Sequence, residues 1–234
     1  MSTALVVLSG GQDSTTCLYW AKANFDVIES IAFNYGQRHA IELQSASTVA
    51  QLAGVAKHHV LDIRNLLSSR SPLVEHDRPL ERYACFTTME RIVGDKIENT
   101  FVPMRNSVFL TMAANVAVSR DIFNLVTGVC QQDNANYPDC TSQFIDSQQA
   151  TINKALGIDN FCIHTPLMHL SKKETVLLAN SLDGCWDAMA YTHTCYDGKV
   201  PPCGNCHSCL LRSHGFAEAG MIDPLVKRTT EANA

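Results

Sequence analysis

A chain of 234 residues is long enough for one well-packed domain, and 46% hydrophobic with 18% charged residues is typical of a globular protein. The apolar runs are far shorter than the roughly 20 residues that cross a bilayer, and the N-terminal MSTALVVLSGG lacks the features of a secretory leader. We therefore expect no membrane segment and a cytoplasmic protein. A net charge of −5 without a long Lys/Arg run argues against a stable nucleic-acid partner, because affinity for phosphate backbones requires clustered cations.

The string SGGQDS, residues 9–14, follows the apolar run 5–8 and precedes a helical pattern. This order predicts a strand, a glycine turn and a helix start, which directs the helix's first N–H groups and its positive dipole end at the turn. Such a place suits a phosphate. The string lacks the lysine of GxxxxGK[ST] and the spacing of GxGxxG, and it matches the PP-loop pattern SGGxDS. The alternative is an ordinary turn capped by Asp13 or Ser14.

Strands and helices are predicted to alternate along most of the chain. Residues 64–100 are weakly patterned and are expected to form a long loop with short helical pieces. Strands are predicted at 27–35, 57–63, 122–129 and 161–167, and helices at 16–24, 37–54, 107–119 (buried), 141–157 and 171–182. The alternation predicts an α/β fold with a doubly wound, mostly parallel sheet, in which ligands bind beyond the carboxyl ends of the strands.

The pattern breaks at Gly184, and we expect residues 1–184 to form the nucleotide-binding domain and 185–234 a cysteine-rich zinc lobe with a C-terminal helix. Four of the ten cysteines have the spacing C-x7-C-x2-C-x2-C, at Cys195, Cys203, Cys206 and Cys209. Thiolates this close in sequence suit a closed, structural tetrahedral zinc site. An iron–sulfur cluster uses similar ligands, whereas disulfides and buried thiols are the less favoured alternatives.

Several motifs occur together and in order: SGGQDST, YGQRH at 35–39, FVPMRN at 101–106, TGVCQQDNANYPDC at 127–140, TPL followed by Lys172, and the four cysteines. Together they resemble the 7-cyano-7-deazaguanine synthase family of PP-loop ATP pyrophosphatases. The resemblance implies an adenine nucleotide alpha hydrolase-like fold of the HUP type and a homodimer, with 107–119 or 64–100 near the interface. It also implies an ATP-dependent ligase that converts 7-carboxy-7-deazaguanine and ammonia to 7-cyano-7-deazaguanine (preQ0). This conversion proceeds by adenylation, through an amide intermediate, with release of AMP and pyrophosphate.

The resemblance also assigns residue roles. Catalysis is expected from Asp13, Arg105 and Lys172, with Asp13 also holding Mg²⁺. ATP is expected at Leu8, Ser9, Gly10, Gly11, Gln12, Asp13, Ser14, Thr15, Phe33, Arg38, Asn106 and Gly128, where Leu8 and Phe33 flank the adenine. The deazapurine is expected at Asp133, Tyr137, Pro138 and Asp139, although Asp139 is equally well explained as a helix cap.

This chain departs from the family pattern at Ala135, Asn136 and Thr141, and at Met104 where a glycine is usual. These positions surround the expected acceptor pocket. The alternatives are a related PP-loop enzyme that stops at the amide, or one that acts on another carboxylate or a tRNA base. A third is a zinc-stabilised binding module without catalytic activity, which the sparse cations around 195–209 disfavour.

Overall fold

A five-stranded parallel sheet forms the centre of the computed structural model, which describes residues 1–39, 41–131 and 135–231. The strands are β1 (Thr3–Val7), β2 (Val27–Asn34), β3 (Lys57–Asp62), β4 (Asn124–Val126) and β5 (Cys162–His164). Their order across the sheet is β3-β2-β1-β4-β5, and each neighbouring pair is parallel. The predicted doubly wound α/β class is confirmed, and the order reverses beside β1, where such sheets bind ligands.

Helices cover both faces of this sheet. They are α1 (Gln12–Asn24), α2 (Ile41–Ala53), α3 (Phe86–Val93), α4 (Arg105–Val118), α5 (Ser142–Leu156), α6 (Lys172–Ser181), α7 (Cys185–Met189), α8 (His207–Glu218) and α9 (Pro224–Glu231). A short 3-10 turn, Pro138–Cys140, precedes α5. Among the described residues, no helix has both the length and the apolar composition needed to cross a membrane.

Each sheet face contributes to its own apolar core because successive strand side chains point to opposite sides. On β1, Ala4 and Val6 join the core built with α1, α2, α6 and α7, whereas Leu5 joins the core built with α4 and α5. All three side chains are fully buried. The central strand, covered on both sides, therefore holds the loop that follows it in a fixed position.

The start of α1 differs from the sequence expectation. The helix was predicted from residue 16 but begins at Gln12, so most of the glycine loop's polar residues belong to its first turn. The reason is that Gly11, with φ −83° and ψ 171°, takes the position before the helix, and Thr15 N already donates to the Gly11 carbonyl at 3.1 Å. By contrast, α2, β4 and β5 are shorter than predicted.

The stretch 64–100 is irregular apart from α3, as expected for a long loop with short helical pieces. The expectation that the helix at 107–119 is buried was only half right. In α4, Leu110, Ala113 and Ala117 are buried, but Thr111 and Asn115 are exposed. The Ala-rich run looked apolar on every side, yet only one side of the helix faces the sheet.

The segment from residue 185 onward packs against the nucleotide-binding part of the chain. Helix α7 lies against α1, and α8 lies against α6. Cys185 and Met189 are fully buried in the same core as Leu18 and Val176. The division into domains at residue 184 stays a prediction, whereas these contacts place the cysteine-rich segment beside the carboxyl ends of the strands.

Candidate functional site

The glycine loop connects β1 to α1 in a backbone conformation that requires glycine at position 10. Gly10 has φ +85°, and a Cβ there would lie 2.5 Å from both the Glu42 carbonyl oxygen and the Ala46 nitrogen. Any other residue would therefore displace α2. The Ser9 and Ser14 hydroxyl oxygens lie 3.0 Å apart and close the loop across its base.

The first turn of α1 carries no side-chain cap. Gly11 precedes the helix without a side-chain hydrogen bond to it, so the first N–H groups remain open to an anion. Gly128, two residues after the end of β4, lets the chain approach the start of α1 closely, because a Cβ there would lie 3.1 Å from Asp13 C and Ser14 N. These glycines hold the start of the helix between β1 and β4, as an anion-binding loop requires.

Asp13 and Lys172 meet across this loop. Lys172 Nζ donates to Asp13 Oδ2 at 2.7 Å, and both side chains are largely shielded from solvent. The lysine is positioned by the start of α6, where Ser171 and Glu174 form the predicted capping box. Gly215 of α8 lies so close that a Cβ there would be 2.8 Å from Lys172 Cβ. Sequence reasoning selected both charges, and the fold joins them over 159 residues of sequence separation.

Three buried polar atoms in the first turn of α1 have no hydrogen-bond partner within the described ranges: Gln12 Nε2, Asp13 Oδ1 and Thr15 Oγ1. Each such atom costs about 1–3 kcal/mol unless something satisfies it. The Gln12 amide, on a residue that lines the cavity, suits a phosphate oxygen, and the second Asp13 oxygen suits a hard divalent cation such as Mg²⁺. The donor set therefore fits a nucleotide phosphate with its metal ion.

A cavity of about 260 Å³ opens from this loop beyond the ends of β1, β2 and β4. Leu8 and Phe33 line it, and Phe33 stacks on Phe109 with ring centroids 4.4 Å apart. Of the sequence-predicted residues, the cavity lining includes Leu8, Ser9, Gly11, Gln12, Asp13, Ser14, Phe33, Arg105, Asn106, Gly128, Tyr137 and Lys172. Gly10 and Thr15 lie directly behind the loop, where they shape it from within.

Arg38 does not belong to this group. Its guanidinium donates to the carbonyl oxygens of His76 and Arg78, the latter at 2.8 Å, and it is not part of the cavity lining. The turn after β2 points its neighbours Gln37 and His39 at the cavity and Arg38 away from it. The expectation that Arg38 binds phosphate is therefore not supported by its position, because its charge is used to hold the 64–100 stretch.

Arg105 enters the cavity from the first turn of α4 among three tyrosines. Burial acts to lower its pKa, but the oxygens of Tyr35, Tyr137 and Tyr196 outweigh burial and hold the Arg105 pKa above its ordinary value. Burial raises the pKa of Tyr35 to about 12, so this phenol is neutral at pH 7. A permanently charged guanidinium surrounded by neutral tyrosine hydroxyls is suited to binding a carboxylate.

Sequence reasoning missed the residues that hold Tyr137 in place. The Tyr137 hydroxyl lies 2.6 Å from Thr100 Oγ1 and 3.4 Å from the buried Glu98 carboxylate. Glu98 also accepts from the Thr100 backbone at 2.7 Å. Both residues lie at the end of the weakly patterned stretch, where no motif marked them. Tyr196 and His39 were also missed, although YGQRH contained the histidine.

The YPDC motif has a structural role in addition to lining the cavity. Asp139 Oδ2 accepts from Asn106 N at 3.2 Å, so this carboxylate caps α4. Burial raises the Asp139 pKa, and the Asn106 hydrogen bond and Arg105 oppose that rise. Asp139 does not line the cavity, and the helix that follows it is capped by Thr141 instead. The role of Asp139 in binding the deazapurine stays a prediction. Pro138 lines an adjoining recess of about 270 Å³, and Asp133 lies outside the described residues.

Two departures from the family pattern have local explanations. Thr141 precedes α5 and caps it, its hydroxyl accepting from Phe144 N at 3.2 Å. Asn136 has φ 52°, which asparagine tolerates better than most residues, and its amide donates to the carbonyls of Gly94 and Lys96 at 2.7 and 2.9 Å. Both residues line the adjoining recess, and their hydrogen bonds hold its wall in place.

Met104 is the departure that the backbone does not favour. It precedes α4 with φ 64° and ψ 5°, and its side chain is 63% exposed. The left-handed conformation costs a non-glycine residue about 1–2 kcal/mol, a cost that glycine at position 104 would avoid. Glycine's larger conformational entropy in the unfolded chain would offset part of that gain. We expect Met104→Gly to raise the free energy of unfolding by about 1 kcal/mol in urea titrations. Met104→Ala keeps its Cβ and should give no such gain; equal stabilisation by both would contradict the explanation.

The four predicted metal ligands come together beside the cavity. The Sγ atoms of Cys195, Cys203, Cys206 and Cys209 lie within 4.8 Å of one another. Those of Cys203 and Cys209 are 3.9 Å apart, close to the roughly 3.8 Å between thiolates in a tetrahedral zinc site with Zn–S near 2.3 Å. The set fits a metal ion, and the ligand prediction agrees with the geometry.

The cysteine cluster is joined to the glycine loop by the chain that precedes it. His193 N donates to the Gly10 carbonyl at 2.8 Å. The buried Arg212, which lines the cavity, forms a two-point ion pair with Asp223 at 2.6 and 2.8 Å. It also donates to the hydroxyls of Thr192 and Thr194. Order in the metal lobe is therefore coupled to the position of the loop.

Comparison with known proteins adds the family. The model of the queuosine biosynthesis protein QueC matches residues 3–220. A 7-cyano-7-deazaguanine synthase from Chromobacterium violaceum is 48% identical over 96% of this chain and 93% of that protein. Proteins of the same name from Laribacter hongkongensis and Gloeobacter violaceus are 47% and 45% identical over 96% and 97% of the chain, and 94% and 97% of those proteins. With the glycine loop, the Asp13–Lys172 pair and the four-cysteine cluster all in place, the chain belongs to the QueC family.

Proposed function

We propose that this protein is an ATP-dependent ligase that converts 7-carboxy-7-deazaguanine and ammonia into 7-cyano-7-deazaguanine. The relatives named 7-cyano-7-deazaguanine synthase match this chain over 93–97% of their own length. The observation that carries the proposal is the Asp13–Lys172 pair on an uncapped helix start, with buried polar atoms facing a cavity. In the proposed reaction the carboxylate is adenylated, ammonia displaces AMP to give the amide, and a second ATP activates the amide oxygen so that a nitrile forms.

The chemistry assigns a task to each side of the cavity. A carboxylate oxygen is a poor leaving group, and transfer of AMP onto it supplies a good one. The N–H groups at the start of α1 and Lys172 bind the phosphates and stabilise the charge that develops there. Asp13 would hold Mg²⁺ through its second carboxylate oxygen, and the ion would supply positive charge to the phosphates. Leu8 and Phe33 provide the apolar contacts for the adenine.

On the other side, Arg105 would orient the acceptor carboxylate and Tyr137 would contact the deazapurine ring. Arg105 supports this role because it stays charged in a neutral wall. Tyr137 supports it because Thr100 and Glu98 fix its hydroxyl. Asp133 keeps its proposed role as an acceptor for the purine N–H groups. The structural metal is proposed to be zinc, held by the four cysteines in a site without an open coordination position.

The reaction is tested by incubating purified protein with ATP, Mg²⁺, ammonium and 7-carboxy-7-deazaguanine. We expect AMP, pyrophosphate and the nitrile, with the amide appearing first, as followed by chromatography and mass spectrometry. Accumulation of the amide without nitrile would restrict the enzyme to the first half of the sequence. No AMP and neither product from folded, metal-loaded protein would contradict the ligase.

The cytoplasmic location and the homodimer remain proposals. All ten cysteines are free of disulfides, which agrees with a reducing compartment. Val108, Met112 and Val116 of α4 pack against the core but keep part of their apolar surface exposed, and this helix is the proposed dimer interface. A monomer in light scattering at micromolar concentration would contradict the dimer.

A further inference from the structure

A buried histidine and carboxylate pair lies in the cavity wall and has no role so far. His39 is 2% exposed, and its Nε2 lies 2.9 Å from Glu42 Oε1. The other ring nitrogen, Nδ1, is buried and has no hydrogen-bond partner among the residues that the structure describes. A neutral imidazole that donates from Nε2 to a carboxylate carries its lone pair on Nδ1. The pair therefore has the arrangement of a base with its orienting group.

The pair lies between the glycine loop and the tyrosine wall. The Glu42 backbone is in such close contact with Gly10 that a Cβ on Gly10 would lie 2.5 Å from the Glu42 carbonyl oxygen. On the other side, the rings of His39 and Tyr196 are 5.6 Å apart. His39 and Glu42 both line the cavity. A group bound between the phosphate loop and Arg105 would thus lie beside this imidazole.

The proposed reaction requires a proton acceptor at that place. When ammonia forms the C–N bond to the adenylated carboxyl carbon, the C–O bond to AMP breaks and one N–H proton must leave to give the neutral amide. When the second ATP adenylates the amide oxygen, one N–H proton leaves and a C=N–H group remains. When AMP then leaves, the remaining N–H proton leaves as the third C–N bond of the nitrile forms. None of these steps needs an oxidant or reductant, and each yields one proton. Asp13 is paired with Lys172, and Arg105 cannot accept a proton.

We propose that His39 is the general base of the nitrogen-transfer steps and that Glu42 is its positioning residue; this inference rests on the proposed function. The charged and titratable groups around the pair are Tyr196 from the metal lobe, His193, and Tyr35 at the end of β2. Arg105 faces the same tyrosines from α4. The Glu42 carboxylate stabilises the imidazolium that forms when Nδ1 takes the proton, and adenylation of the acceptor carboxylate does not involve the pair.

The test separates adenylation from nitrogen transfer in His39→Gln, whose amide can still donate to Glu42. Adenylation is measured as carboxylate-dependent exchange of labelled pyrophosphate into ATP, and nitrogen transfer as ammonia-dependent AMP release. We expect exchange within about 3-fold of the unmodified enzyme and ammonia-dependent turnover lowered by about 10²–10⁴-fold. Hydroxylamine, a stronger nucleophile at neutral pH, should still trap the adenylate as a hydroxamate.

His58→Gln is the matched control, because His58 is partly buried and bonded to Ser30 at 2.8 Å on β3, outside the cavity lining. Both reactions should be unchanged in it.

Glu42→Gln should slow nitrogen transfer and Glu42→Asp should restore part of it. If His39→Gln melts early, His39→Asn supplies the same comparison. Equal loss of exchange and nitrogen transfer, or loss of neither, would overturn the proposal. Absence of exchange in the unmodified enzyme would instead overturn the proposed function on which it rests.

Discussion

Lys172→Met is expected to lower the rate of adenylation by about 10³-fold, because it removes the largely shielded cation that stabilises developing phosphate charge. The lysine ammonium lies 2.7 Å from Asp13 and is held by the capping box of α6 and by Gly215. Methionine fills a similar volume without the charge. The loss should be equal in kcat and kcat/KM if the contact strengthens only in the transition state. Carboxylate-dependent pyrophosphate exchange measures it directly.

Lys173→Met is the matched control, since Lys173 is the next residue on the same helix and is exposed. Its exchange rate should stay within about 2-fold of the unmodified enzyme. Lys172→Met also leaves Asp13 unpaired, so thermal melting must be measured alongside. Because the two residues act as a unit, the double variant with Asp13→Asn should be far less damaging than the product of the single effects. Exchange by Lys172→Met at close to the normal rate would remove the lysine from catalysis.

The second large effect is expected at the metal. Cys206→Ser should abolish stoichiometric metal binding and greatly lower the melting temperature, because structural zinc sites contribute on the order of 10 kcal/mol to folding. Cys206 is buried and its sulfur shares a 4.8 Å cluster with three others. Activity should fall with the metal, since His193 of the same lobe bonds to Gly10. Elemental analysis gives the metal content and distinguishes zinc from iron.

Cys85→Ser serves as the control, because Cys85 is exposed and lies outside the cluster. It should retain the metal and the melting temperature. Removal of the metal from the unmodified protein with a strong chelator should reproduce the loss of stability seen in Cys206→Ser. Full stability in metal-free protein would contradict a structural role for the cluster.

Local pattern was sufficient for much of the site. The SGGQDS loop, the capped start of α6 and the close spacing of Cys203, Cys206 and Cys209 are features in which a few neighbouring residues determine the geometry. The parallel sheet could be predicted from the sequence equally well, because alternating strands and helices are compatible with few other arrangements. For these parts the energetic preferences act over short stretches of chain, and a sequence displays them directly.

The local sequence pattern could not predict which way individual side chains point. Arg38 and His39 are adjacent, yet the turn after β2 sends the arginine to the carbonyls of His76 and Arg78 and the histidine to the cavity wall. Asp139 was equally suited to ligand binding and to capping, and only the tertiary structure shows its carboxylate accepting from Asn106 N at the start of α4. No sequence motif indicated a role for Glu98, because a loop without a periodic hydrophobic pattern brings its partners Thr100 and Tyr137 to it.

The sequence by itself determined the reaction class: a phosphate loop, a lysine at a helix start and a four-cysteine metal site are each specified by residue type and short spacing. The tertiary structure decided which charges face the same space. Lys172 reaches Asp13 across 159 positions, and His39 lies beside Tyr196 of the metal lobe. The physical reason is that a side chain's role depends on the elements packed around it, and those elements come from distant parts of the chain.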